Sequence, residues 1–144
     1  MTWKKHITTK RKEIDLKIKR MYWLLGRRSA LSLENKLLLY KAVIKPIWIY
    51  GIELWGCSSK SKVNIIQRLQ SKTLRLMTNA PWFVSNHTLH ADLKISTVAE
   101  EVRKRAEIHN FRLQNHPNVL ASELTQVENS TRRLKRILPH NLRE

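Results

Sequence analysis

A three- and four-residue step runs from Leu33 through Leu37, Tyr40, Ile44, Trp48 and Gly51 to Trp55. That spacing keeps one face of a helix apolar over residues 33–55, a longer run than a strand sustains. The series crosses "IKPIWIYGIELWG", residues 44–56, which holds two of the five Trp and two of the three Gly. Pro46 lacks a backbone donor and crowds the carbonyl of Ala42, so the helix is expected to kink there. A strand stays open as the alternative, because both alternating faces of "IWIYGI" are apolar and its residues are β-prone. A membrane span does not, because Lys45 and Glu53 break the run well short of the roughly 20 apolar residues required.

The same periodicity organises the rest of the chain. Trp3, Ile7, Ile14, Ile18, Met21, Tyr22 and Leu25 mark the inner face of a long basic first helix, and Gly26 offers its stop. Ser32 is a good N-cap for the second helix. A third opens at Ser59 or Ser61, carries Val63, Ile66, Leu69, Thr73, Leu76 and Met77 inward, and ends at "NAP". Its other side shows Asn64, Arg68, Ser71, Lys72, Arg75 and Asn79, a polar stripe with three cations and no acid. One helical turn is expected from Asn86, with a link to Ile95. A fifth helix starts at Ser96 or Thr97, has Glu100 and Glu101 in its first turn and runs to about Gln114. Pro117 suits the first turn of a final short helix, "PNVLASELTQ". The fold class expected is all-α: a single helical domain of about five helices with basic ends. Residues 1–28 form the basic N-terminal helix, 29–127 the helical domain and 128–144 a loosely held basic tail.

Charge narrows the function. Twenty-eight Lys and Arg against 11 Asp and Glu leave a net +17, which favours a polyanionic partner, chiefly RNA, DNA or an anionic membrane. The N-terminal stretch lacks the apolar core of a signal peptide, and the single Cys57 can form no internal disulfide. An intracellular location, nuclear or cytoplasmic, is expected.

Catalytic chemistry is thinly represented. The acids are scattered, with no Asp-Asp pair, whereas two-metal phosphoryl transfer needs carboxylates converging on paired Mg²⁺. Cys57, His87 and His90 do not show the paired short spacings of a zinc site, and nothing places a base beside Cys57. No phosphate-cradling glycine motif exists among three glycines, and no metal or small-molecule substrate is expected. Binding chemistry is better supplied, because Lys and Arg at helical spacing match a phosphate backbone. Arg68, Lys72 and Arg75 are the first candidates, with Lys41 and Lys45 on the second helix and Arg132 and Arg133 in the tail. Trp48 and Trp55 share the core periodicity and are expected to be buried; Trp82, after Pro81, is left open between core and base stacking.

"LLLYKAVIKPIWIYGIELWG", "SKVNIIQRLQSKTLRLMTNAPWFVSNHTLHADLKI", "HPNVLASEL" and "RRLKR", in this order, resemble the region just after the palm of non-LTR (LINE-type) retrotransposon reverse transcriptases, nearest the jockey clade. "TWKKHI" resembles the segment following that family's last palm strands. The resemblance covers nearly the whole chain. It implies a helical thumb, which grips an RNA template and DNA primer duplex while the palm, a partner absent from these residues, supplies the catalytic aspartates and their Mg²⁺. The third helix would present Arg68, Lys72 and Arg75 to that duplex. Two other readings stay open: an independent basic nucleic-acid-binding module, and a decayed remnant with no present role.

Overall fold

The structure, a computed structural model, describes residues 3–120. Its elements are α1 (Trp3–Arg20), α2 (Tyr22–Leu25), α3 (Leu33–Leu39), a π-helical turn (Tyr40–Ile44), α4 (Lys45–Ile49), α5 (Ile52–Trp55), α6 (Lys60–Thr78), α7 (Asn86–Asp92) and α8 (Val98–Gln114). The fold is a single helical domain, and no strand occurs among the described residues. The expected final helix lies mostly outside them, as does the tail.

Caps form where the side chains suggest. Ser32 Oγ accepts from Asn35 N–H, and Ser85 Oγ does the same for Thr88 at the start of α7. Thr97 and Glu100 close a reciprocal capping box at the start of α8. Asn79 ends α6 in the left-handed conformation, with φ at 55°.

The expected kink near Pro46 takes the form of the π-helical turn. Lys45 N–H bonds back to Tyr40 C=O, five residues away. Widening the turn draws the chain clear of the contact between the Pro46 ring and the Ala42 carbonyl. The helix then ends, because Tyr50 is extended and Gly51 takes φ 67°, a region glycine enters without a Cβ penalty. The periodic series is therefore one broken rod rather than one bent helix. Trp48 and Trp55 are nevertheless both buried, one on each side of the break.

A single core joins all the long elements. Ile7, Ile14 and Leu25 meet Tyr40, Ile44, Trp48, Ile52 and Trp55, then Ile66, Leu69, Leu74 and Met77, with Ile95, Val98 and Val102 closing the far side. α1 lies against α6 and α4, and α8 against α6 and α5, so the basic N-terminal helix is built into the domain. Two residues expected to face inward do not. Tyr22 is exposed because α1 breaks at Met21 and α2 starts on a new rotation, and Leu33 is exposed at the open first turn of α3. Ser71, expected on the polar stripe of α6, is buried, and Gln70 and Leu74 join the inner face.

Candidate nucleic-acid interface

On α6 the inward side chains hold the helix against α1 and α8, leaving Arg68 and Lys72 on an exposed face one helical turn apart. These two cations do not stand alone. They line a cleft of about 170 Å³ with Ile65 and Leu69 from α6 and Arg11 and Asp15 from α1. Arg11 Nε lies 3.7 Å from the Asp15 carboxylate, an exposed pair that leaves the other Arg11 donors free to turn outward. Three cations face one acid across two packed helices. Arg11 is a member of the site that sequence periodicity passed over, since it belongs to a different helix and only packing brings it to Arg68.

Arg75 does different work from Arg68 and Lys72. Its guanidinium donates to Pro81 C=O at 3.0 Å, to Asn86 Oδ1 from Nη2 at 3.0 Å and from Nε at 3.2 Å, and to Val84 C=O. The side chain thus ties down residues 81–86, and four of its five N–H donors are used within the protein. Spacing assigned it to the phosphate-facing set, but these bonds leave it less capacity for a phosphate than Arg68 or Lys72 has. Beside it the loop presents Trp82, 90% exposed, in edge-to-face contact with the exposed Phe83 at 6.1 Å. Arg75→Ala is expected to cost about 1–2 kcal/mol through those lost charge-assisted bonds. Faster amide exchange confined to residues 79–86 would report it, whereas an unaltered exchange pattern would count against the clamp.

Lys45 is also engaged. Its Nζ lies 2.6 Å from Glu101 Oε1 on α8, and the Glu101 side chain is only 7% exposed. The charge neutralises a buried carboxylate, so Lys45 is a bolt between α4 and α8. Lys41, by contrast, is exposed on the π-helical turn. Arg132 and Arg133 lie outside the described residues.

A polar seam behind the basic face escaped sequence reading. Gln67 Oε1 accepts from Val98 N–H at 2.8 Å, which leaves its amide nitrogen to donate to His90 Nε2 at 3.1 Å. His90 must then carry its proton on Nδ1 and donate to Ile95 C=O at 2.8 Å. Gln70 adds a bond to Ser96 C=O. This seam fixes the α7–α8 link onto α6, and both nitrogens of His90 are used in it. At Cys57 burial pushes the thiol up from its ordinary value, and Sγ points at Glu53 C=O, 3.4 Å away. A thiolate nucleophile is disfavoured there. Among the described residues no three His, Cys, Asp or Glu side chains converge, and no helix is long and apolar enough to cross a membrane.

Comparison with known proteins finds relatives along nearly the whole chain. No family model matches the chain, and no solved structure does. It is 44% identical over 142 residues to the probable RNA-directed DNA polymerase from transposon X-element of Drosophila melanogaster, covering 99% of this chain and 16% of that protein. It is 37% and 34% identical, each over 150 residues, to the RNA-directed DNA polymerases from mobile element jockey of Drosophila melanogaster and Drosophila funebris, again covering 99% of this chain and 16% of each relative. The chain therefore spans about a sixth of the length of these curated relatives. These relatives are RNA-directed DNA polymerases of jockey-type and other non-LTR elements, and over nearly its whole length the chain matches their C-terminal part.

Proposed function

We propose that this chain is the thumb region of a retrotransposon RNA-directed DNA polymerase and grips the RNA template and DNA primer duplex by backbone contacts. The observation that carries this reading is the α1–α6 face, where Arg68, Lys72 and Arg11 converge on one cleft beside a single carboxylate. Two helices locked by a common core hold these cations at a fixed separation, which suits the regular charge of a duplex backbone. Lys41 adds a further exposed cation on the π-helical turn. On this reading the chain positions the duplex, and the palm of the parent polymerase, with its Mg²⁺, carries out nucleotide transfer.

Replacing Arg68 and Lys72 together by alanine is expected to weaken binding to an RNA/DNA hybrid and to reduce the slope of log K against log salt by about 0.9 per lost phosphate contact. Adding Arg11→Ala should reduce it again. Arg75→Ala should leave the slope as it was, because that guanidinium is bound within the protein. A slope insensitive to Arg68 and Lys72 would remove the α1–α6 face as the grip.

A further inference from the structure

Just past the C-terminal end of α1 lies a second basic site of different composition. Tyr22, Trp23, Gly26, Arg27, Arg28 and Ser29 line an open cleft of about 580 Å³ at the corner between α2 and α3. Trp23 is 73% exposed. The Tyr22 ring lies over Gly26 so closely that a Cβ there would come within 3.3 Å of it, and 2.7 Å of the Tyr22 carbonyl oxygen. Only glycine permits that packing, which turns one ring down onto the backbone and leaves the Trp23 indole outward. Arg27 and Arg28 are exposed, and no carboxylate lines the cleft.

Hydrogen bonds tie the corner together, and a buried cation lies behind it. Gly26 C=O accepts from Ser29 N–H at 3.2 Å and from Lys36 Nζ at 3.0 Å. Lys36 is buried, and among the described residues no acid pairs with it. A buried ammonium answered only by a carbonyl is an uncompensated charge, favourable to an anion placed nearby. Two cations and two aromatic rings line one open cleft, with a third cation buried behind Gly26, and match the parts of a single-stranded nucleic acid, phosphate and base face.

We infer that this corner is a stacking platform for an unpaired nucleotide of the bound nucleic acid, with a base on the Trp23 indole and the adjoining phosphates on Arg27 and Arg28. It extends the proposed duplex grip, on which it rests, to the strand leaving the duplex. The charged members of the cleft, Arg27 and Arg28, are both cationic, which suits a polyanion.

The test uses the whole chain with two probes, a blunt RNA/DNA hybrid and the same hybrid carrying a short single-stranded DNA extension. Trp23→Leu is expected to lower affinity for the extended hybrid about tenfold, the loss of one stacked base, with the blunt hybrid unaffected. Trp23→Phe should retain most of the affinity. Arg27→Ala with Arg28→Ala should reduce the salt slope of the extended hybrid by about 0.7 per contact, the value for single strands, with no change on the blunt one. The platform is overturned if Trp23→Leu binds the extended hybrid as tightly as the parent, or if it weakens both probes equally. It is overturned also if Trp82→Ala, and not Trp23→Leu, abolishes the preference for the extension. Failure of Arg68→Ala with Lys72→Ala to weaken the blunt hybrid would instead sink the duplex grip, so the two readings are separated by probe.

Discussion

Trp48→Ala is expected to destabilise the chain by about 3–5 kcal/mol, the range for emptying a buried aromatic site. Trp48 sits on α4, which packs on α1, in the core cluster containing Ile7, Ile44, Ile52, Trp55 and Ile66. The break at Gly51 is close in sequence, but the helices around the indole belong to distant parts of the chain, so the cavity cannot collapse by a local shift. Urea unfolding monitored by far-UV circular dichroism measures the change as a lower midpoint at constant slope. A loss under about 1 kcal/mol would place Trp48 at a surface and contradict the core described here. Trp82→Ala supplies the contrast, because its ring is almost wholly in solvent and should change the midpoint little.

Lys45→Met is expected to cost about 2–3 kcal/mol, because it strands the Glu101 carboxylate in a buried position while preserving most of the side-chain volume. Lys45 is itself part-exposed, which keeps the figure below that of a fully enclosed pair. The double variant Lys45→Met with Glu101→Leu should regain most of the loss, since neither charge then lacks a partner. Thermal unfolding of the four members of this cycle gives the coupling directly. If the double variant were as unstable as the sum of the two singles, the ion pair would not be what joins α4 to α8. The same cycle separates the bolt from a phosphate contact, because a contact would alter the salt slope of binding and leave stability in place.

Much of the fold is legible along the chain because helices announce themselves locally. Ser32, Thr97 with Glu100, Gly26 and the three-and-four spacing of Ile7 and Ile14 or Ile66 and Leu69 each act within one or two turns, and α6 and α8 formed near their expected limits. Where local signals competed, they were less informative. Tyr22 shared the helical step of Met21 and Leu25 yet turned outward, because a break of one residue resets rotation about the axis. Pro46 signalled a disturbance, but the π-helical turn that absorbs it and the left-handed Gly51 that ends the rod depend on how α4 and α5 pack on α1 and α8.

The candidate interface divides in the same way. Sequence alone determined that the chain is helical and strongly basic, and that α6 carries its cations on the side opposite its apolar residues, because charge and periodicity are properties of the chain itself. It could not sort those cations by task. Arg75 and Lys45 have the same chemistry and spacing as Arg68 and Lys72, and they were assigned other work by carbonyl groups and a carboxylate that folding brought beside them. Arg11 joined Arg68, and Lys36 reached the Gly26 carbonyl behind the Trp23 corner, by the same route. Which charge is left free for a ligand depends on the partners each one meets across the core, and those meetings exist only in the tertiary structure.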